Sequence, residues 1–150
     1  MIAFVLFTII SCVDNKNKNF CDKEYPDYYG GSYYDEDGQL AILIVTGFNV
    51  KKECIDSLLN IDDYYIVDCK YSYNDILCVH KYLNDFFMNQ QNDFIINKIT
   101  INSLGVNLRE NTVFVSLKDS TKENITLFRK QVSNSPIISF EKWKGHIEAH

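Results

Sequence analysis

The sequence has few of the features that catalysis and nucleic-acid binding require. Lysine and arginine total 15 against 20 acidic residues, the formal net charge is −5, and the basic residues form no cluster. Because binding to nucleic-acid phosphates needs clustered cationic side chains, we expect no DNA or RNA partner. The sequence also lacks the Gly-x-Ser-x-Gly segment of a nucleophile elbow and any glycine-rich phosphate loop.

Histidine is scarce, with three residues in the chain. His80 falls on the apolar stripe of a predicted helix, and we expect it at the edge of the core. Cys78 cannot pair with it as a catalytic dyad, because helical residues two apart point away from each other. His146 and His150 lie in a predicted tail, which rarely supports a metal site. We therefore predict no catalytic residue, metal or cofactor, and a protein that is not an enzyme.

No apolar run is long enough to cross a bilayer, which needs about 20 residues. Residues 1–10 are almost wholly apolar and have the size of a signal-peptide core. The order Ile9-Ile10-Ser11-Cys12 resembles a bacterial lipoprotein signal, so we predict a signal segment at 1–12, lipidation at Cys12 and a polar tether at 13–27. This predicts export to the cell envelope, with membrane contact only through the lipid anchor. The alternative is a generic secretory signal and a secreted protein.

The remaining four cysteines show no two-residue spacing of a zinc or redox motif. Cys54 and Cys69 fall on the apolar faces of a predicted helix and strand, so we expect buried thiols. Cys78 falls on the polar side of its helix. If a disulfide forms, we expect it to join Cys78 to Cys21 in the tether.

The apolar patterns predict a single α+β domain over residues 28–145, followed by a tail at 146–150. The acidic turn before Gly38 predicts a hairpin rather than a calcium loop, and the apolar run 40–46 predicts a central strand. Further periodicities predict a helix over 50–59, a strand over 64–71, a helix over 73–90, a β region from Phe94, a strand over 112–117, a helix over 121–132 and a strand over 137–143.

From Tyr64 onward the predicted order is βαββαβ, the ferredoxin-like arrangement, and a ββα unit precedes it. We expect two layers, with helices on one face of a mainly antiparallel sheet. Ser72 and Ser120 are each followed three residues later by an acidic residue, which predicts helix N-caps. Asn49 is predicted to cap the helix before them. The sequence shows no internal repeat.

Three stretches together resemble the pro-region of secreted serine proteases of the α-lytic protease and streptogrisin type. Residues 29–46 contain an aromatic residue, two glycines, an acidic turn and a strand that ends in threonine. Residues 71–76 contain the serine and acidic residue that open a long helix, and residues 103–115 contain a Gly-Val-Asn hairpin with Val-x-Val. Asn107 stands where aspartate is usual in that family. The resemblance covers residues 28–143.

In that family the pro-region is a folding catalyst and inhibitor of its own protease, its sheet pairs with a protease hairpin, and its C-terminal end lies in the active-site cleft. The resemblance thus implies a non-catalytic exported protein-binding module whose partner is a trypsin-like serine protease. It also implies that Phe140, Trp143 and His150 lie nearest to that partner.

The chain contains no Gly-Asp-Ser-Gly segment after the resembling region. Two alternatives therefore stay open beside a free-standing module. One is a surface lipoprotein with a structural or different binding role, for which an exposed aromatic patch of Tyr33, Tyr34 and Trp143 would be the working surface. The other is the remnant of a truncated serine protease precursor.

Overall fold

The computed structural model describes residues 24–59 and 63–143. This part of the chain contains both strands and helices, and a short 3₁₀ turn at Gln90–Asn92 joins two of the helices. In chain order the elements are β1 (Tyr29–Tyr34), β2 (Leu40–Val45), α1 (Lys52–Leu59), β3 (Tyr64–Cys69), α2 (Tyr73–Met88), α3 (Asp93–Ile99), β4 (Ile101–Asn107), β5 (Thr112–Leu117), α4 (Lys122–Gln131) and β6 (Ile138–Lys142).

The first three strands form an N-terminal sheet in the order β1-β2-β3. The β1–β2 hairpin closes through Asp35, whose side chain accepts hydrogen bonds from the backbone N–H groups of Asp37 and Gln39. After α1 the chain returns as β3, which runs parallel to β2. Every residue from Leu40 to Ile44 is buried, so the prediction of a central strand covered on both faces is confirmed.

The last three strands form a C-terminal sheet in the order β4-β5-β6. β4 and β5 make an antiparallel hairpin, and α4 connects β5 to β6, which runs parallel to β5. Ile76 and Leu83 of α2 and Phe128 of α4 are fully buried against this sheet. The C-terminal sheet therefore carries the larger of the two cores.

The α+β class and the predicted order of strands are confirmed, but the strands are shared between two sheets. A ferredoxin-like unit would place β3 in one sheet with the strands that follow it, whereas β3 pairs with β2 instead. Each sheet has one antiparallel pair and one parallel pair. The two halves thus share one topology, ββαβ, although the sequence shows no internal repeat.

Helix α2 begins as predicted, because Ser72 Oγ accepts a hydrogen bond from the N–H of Asp75. The β region predicted from Phe94 is wrong, since Asp93–Ile99 is helical. Ile95 and Ile99 are four residues apart and turn the same helical face toward the core. Helix α3 ends at Thr100 in a left-handed conformation, with φ of 59°.

Three smaller predictions also need correction. Helix α1 begins at Lys52 rather than directly after Asn49, and Ile55 is buried whereas Cys54 is only half-buried. Thr121 caps α4 in place of Ser120, because its side chain accepts from the N–H of Asn124.

Among the described residues, no helix has the length and apolar character to cross a membrane.

Candidate functional site

The outer side of β6, which we call the C-terminal edge, presents the backbone groups of alternate residues away from the sheet. Val113 N–H donates to Ile137 O at 3.0 Å and Trp143 N–H donates to Leu117 O at 2.9 Å. Odd-numbered residues of this segment therefore face β5, and the main-chain groups of even-numbered residues face outward. In the described part of the chain, the outward N–H and C=O groups of Phe140 and Lys142 have no hydrogen-bond partner.

Helix α4 holds this edge strand in place through Arg129. The guanidinium donates to the carbonyls of Ser135 and Ile138, and it lies 5.0 Å from the centroid of the Phe140 ring. The same ring meets Phe128 edge-on, with centroids 5.1 Å apart. The Phe140 side chain therefore packs in the core, and it is the backbone of Phe140 that is available to a partner.

Trp143 lies just beyond the last residue of β6 and is 39% exposed. Nearby, Ser120 Oγ donates to Glu141 O and fastens the end of the strand to the start of the α4 connection. An indole at a strand end supplies a large apolar surface beside the free main-chain groups. His150, the third residue predicted to face a partner, lies outside the described residues.

The turn between β4 and β5 joins the two sheets, a contact that the sequence did not reveal. Asn111 is 6% exposed and has a positive φ of 54°. Its Oδ1 accepts from the N–H groups of Lys70 and Tyr71, and its Nδ2 donates to the carbonyls of Tyr71 and Gly30. We call this set of contacts the Asn111 clasp, and it links β1, the end of β3 and β5.

Arg109, two residues before Asn111, reinforces the same junction. Its Nη2 donates to Tyr34 O at 3.1 Å, its guanidinium lies 5.3 Å from the Tyr33 ring, and its Nη1 lies 3.8 Å from Glu36. Because these groups are exposed, we assign them a supporting role in orientation rather than a large share of the stability.

The two glycines of the family-like motif are required by close packing and by backbone conformation. A Cβ on Gly30 would collide with Cys69 Sγ and would lie 3.0 Å from the Leu43 side chain. Gly31 has φ of +112°, and a Cβ there would lie 2.8 Å from Leu108. The Gly-Gly pair thus lets β1 approach both β3 and the β4–β5 turn.

The acidic turn of the first hairpin acts as a structural element. The backbone N–H of Gln39, with smaller effects from the Tyr65 hydroxyl and the N–H of Asp37, holds the pKa of Asp35 below its ordinary value. Loss of solvent contact and the hydrogen bond to Asp35 raise the pKa of Tyr65 to about 12. In the described ranges, no three His, Cys, Asp or Glu side chains converge as metal ligands would.

The three cysteines in the described part of the chain divide into two chemical states. Cys78 is disulfide-bonded, whereas Cys54 and Cys69 are free thiols. Burial raises the pKa of Cys69 to about 11, so this thiol stays protonated and unreactive near neutral pH. Cys21, the predicted partner of Cys78, lies outside the described residues, as does the predicted lipidation site Cys12.

The aromatic residues considered for an alternative binding surface do not form one patch. Tyr33 and Tyr34 lie beside the β4–β5 turn, where Arg109 contacts both residues. The N–H of Trp143 donates to the carbonyl of Leu117, at the opposite end of β5 from this turn. Since the length of β5 separates them, these side chains cannot contact one ligand of small size.

Two known families match successive parts of the chain, and the boundary between the two matches lies between the N-terminal and C-terminal sheets. Residues 7–69 match the Pro-like N-terminal domain and residues 74–143 match the Pro-like C-terminal domain. No curated protein matches the chain. The first match ends with β3, the last strand of the N-terminal sheet, and the second contains α2 except its first residue, together with the whole C-terminal sheet. The chain is therefore similar, over two matches in series, to paired Pro-like domains, which is consistent with a protease pro-region.

Proposed function

We propose that the protein is a non-catalytic binding module of the pro-region type, which binds a trypsin-like serine protease by adding β6 to a strand of that partner. The observation that carries the proposal is the C-terminal edge, where the outward backbone groups of Phe140 and Lys142 have no partner among residues 24–59 and 63–143. The similarity to paired Pro-like domains supports the same function.

Strand addition divides affinity and selectivity between backbone and side chains. Main-chain hydrogen bonds from β6 would supply affinity that any extended partner strand can share. Trp143, at the end of the strand, would add an apolar contact whose fit depends on the partner. Arg129 and Phe128 pack beneath β6, so the strand is fixed before binding and little conformational entropy is lost.

We propose further that the protein acts outside the cytoplasm, tethered to the cell envelope by a lipid on Cys12. The apolar residues 1–10 and the Ile9-Ile10-Ser11-Cys12 order support this assignment. Palmitate labelling of the expressed chain, compared with a Cys12→Ser variant, tests it. Equal labelling of the two chains would exclude lipidation at this residue.

The strand-addition proposal predicts a difference between two substitutions at one position. Lys142→Pro removes an outward N–H, whereas Lys142→Ala removes the same side chain and keeps that N–H. Because this N–H forms no bond to β5, proline is expected to leave the sheet intact. We expect Lys142→Pro to weaken binding to mature trypsin-like proteases at least about tenfold, and Lys142→Ala to change it little.

Binding is measured by inhibition of peptide hydrolysis and by the fluorescence of Trp143, the single tryptophan of the chain. Circular dichroism of both variants confirms that the fold is retained. Absence of inhibition and of any fluorescence change across a panel of such proteases, trypsin included, would count against the proposal. Equal effects of the two substitutions would count against strand addition at β6.

A further inference from the structure

The start of α2 is covered by the segment that precedes β1. Asn74, in the first turn of α2, is 7% exposed, and its amide forms two hydrogen bonds with the backbone of Tyr25. The N–H of Tyr25 donates to Asn74 Oδ1 at 3.2 Å, and Asn74 Nδ2 donates to Tyr25 O at 2.6 Å. These two bonds, which we call the Tyr25–Asn74 pair, fix the position of Tyr25 on the helix.

Three aromatic rings hold the same segment against both halves of the chain. The ring of Tyr25 lies 4.9 Å from that of Tyr73, in an edge-on contact, and 5.6 Å from that of Tyr29. Tyr29 also meets Tyr73 edge-on, with centroids 5.8 Å apart. Tyr29 begins β1 and Tyr73 begins α2, the helix that packs on the C-terminal core. The segment before β1 therefore links the N-terminal sheet to this helix.

Cys78 lies one helical turn beyond Asn74, on the same face of α2. It is disulfide-bonded, whereas Cys54 and Cys69 are free thiols. Because the chain has five cysteines, the partner of Cys78 within the chain is Cys12 or Cys21. Both candidates precede Tyr25, so either bond joins α2 to the segment that the Tyr25–Asn74 pair already holds.

The distances that the chain can span favour Cys21 over Cys12. Cys21 lies four residues before Tyr25, and an extended chain of that length spans at most about 14 Å. Along α2, Cys78 stands about 6 Å from Asn74, which is well within this reach. Cys12 lies thirteen residues before Tyr25, so a bond from it closes a longer loop and loses more chain entropy.

We propose that Cys21 is the partner of Cys78, and that this disulfide and the Tyr25–Asn74 pair together form a redox-sensitive strap that ties the N-terminal half to α2. All three strands of the N-terminal sheet lie between the two cysteines in the chain, so the bond closes this half into one loop. A cross-link across so long a loop restricts the unfolded chain and stabilises the fold.

A dithiol reductant opens the strap. Two electrons and two protons pass from the dithiol to the sulfur–sulfur bond, which breaks and leaves thiols on Cys21 and Cys78, while the dithiol becomes a disulfide. The Tyr25–Asn74 pair then holds the segment without covalent help. Reduction therefore weakens the connection between the two halves and leaves every other contact in place.

The strap goes beyond the proposed binding of a protease and does not depend on it. A bond from Cys78 to Cys12 would consume the thiol that a lipid needs, whereas a bond to Cys21 leaves Cys12 available. Disulfides persist outside the reducing cytoplasm, where the proposed export would place the chain. Because mapping of the disulfide involves no protease, its failure and the failure of strand addition at β6 are separate outcomes.

Peptide mapping of the full chain identifies the partner of Cys78. The chain is purified without reductant, its free thiols are blocked with iodoacetamide, and it is denatured and cleaved after lysine. This cleavage places the cysteines on separate peptides, with Cys21 on residues 19–23, Cys78 on residues 71–81 and Cys12 before residue 17. We expect peptides 19–23 and 71–81 to be linked. A link from 71–81 to the Cys12 peptide or to a second copy of itself, or an unlinked 71–81, would overturn the proposal.

Thermal unfolding with and without dithiothreitol measures the contribution of the disulfide. We expect the reductant to lower the wild-type midpoint by about 10 °C, and Cys21→Ser to show the lower midpoint under both conditions. The matched control is Cys54→Ser, because Cys54 is a free thiol, and it should respond to the reductant as the wild type does. A wild-type midpoint that ignores the reductant, or a Cys21→Ser midpoint that still falls with it, would contradict the strap.

Replacing Asn74 tests whether the hydrogen bonds and the disulfide act together. In Asn74→Ala the backbone of Tyr25 loses both bonds to α2, so the disulfide opens to solvent more often, and we expect dithiothreitol to reduce it at least about threefold faster. Asn84→Ala is the matched control, because Asn84 is exposed on the same helix. Alkylation at timed intervals and mass spectrometry follow the reaction. Equal rates in the two variants would show that the Tyr25–Asn74 pair is no part of the strap.

Discussion

Replacing Asn111 removes the side chain that ties the two sheets together. The amide of Asn111 satisfies two backbone N–H groups and two backbone carbonyls, at distances from 2.7 to 3.4 Å. A buried polar group left without a partner costs about 1–3 kcal/mol. Since Lys70 is exposed and water can reach its N–H, we expect the combined loss from Asn111→Gly to be about 2–3 kcal/mol.

Comparing alanine with glycine separates the hydrogen bonds from the backbone conformation. Asn111 has φ of 54°, a region that asparagine and glycine adopt more readily than alanine. Asn111→Ala should therefore lose the same bonds and about 1 kcal/mol more. Asn107→Ala is the matched control, because Asn107 accepts one 3.3 Å bond in an exposed turn, and we expect it to cost less than about 1 kcal/mol.

Urea unfolding at neutral pH measures these differences. Trp143 fluorescence reports on the C-terminal sheet, while far-ultraviolet circular dichroism reports on both sheets. For the wild type we expect coincident transitions, and for Asn111→Gly we expect the transition seen by dichroism to begin at lower urea. If both Asn111 variants stay within about 0.5 kcal/mol of wild type, the clasp does not couple the sheets.

Three further predictions concern other close contacts. Gly30→Ala should destabilise by about 1–3 kcal/mol in urea unfolding because its Cβ would meet Cys69 Sγ, and adding Cys69→Ala should recover part of the loss. Iodoacetamide should modify Cys54 but not Cys69 in the native chain at pH 8. Since the pKa of Cys69 is raised to about 11, its stabilising contribution should be present at neutral pH and decline as the pH rises toward 11, a decline absent from Cys69→Ala. Thr121→Ala should cost about 1 kcal/mol and Ser120→Ala less, measured by thermal unfolding, and the reverse order would contradict the cap assignment.

Local patterns were sufficient to predict most helices and strands. The Asp-Gly turn, the apolar run of β2 and the Ser72 cap each depend on residues close together in sequence. The segment from Phe94 was predicted to be a β region because phenylalanine and isoleucine favour strands. Packing of Ile95 and Ile99 against the C-terminal core instead makes the segment helical, and tertiary contacts of this kind override propensity.

The distribution of strands between two sheets could not be derived from their order. Strand β3 could pair either with a strand that precedes it in the chain or with one that follows it. The sequence order βαββαβ does not decide between the two pairings. The choice is made by non-local contacts, such as Ile66 against Ile42 and Cys69 against Gly30. The role of Asn111 was hidden for the same reason, because its partners lie about 40 and 80 residues away in the chain.

The location of the candidate site stays a prediction, and the structure bears only on what its residues could offer a partner. Phe140 was expected to face a partner, yet it alternates with buried Ile138 and so shares the face that packs on α4. Strand periodicity could have revealed this, since residues two apart point to the same side. Trp143 lies one residue past the end of β6 and is 39% exposed, and its contact with a partner stays a prediction.

The Asn111 clasp and the C-terminal edge are connected through a single strand. Thr112, the first residue of β5, follows Asn111 directly, and β5 pairs with β6 from Val113 to Leu117. A clasp that fixes the start of β5 therefore also limits movement of the edge strand beside it. Strand addition loses affinity when the docking strand must first be ordered. If a partner binds at β6 as proposed, the N-terminal half would therefore contribute to that binding without contacting the partner there. On this reasoning, Asn111→Gly should weaken protease binding even under conditions where the chain remains folded, whereas Asn107→Ala should not.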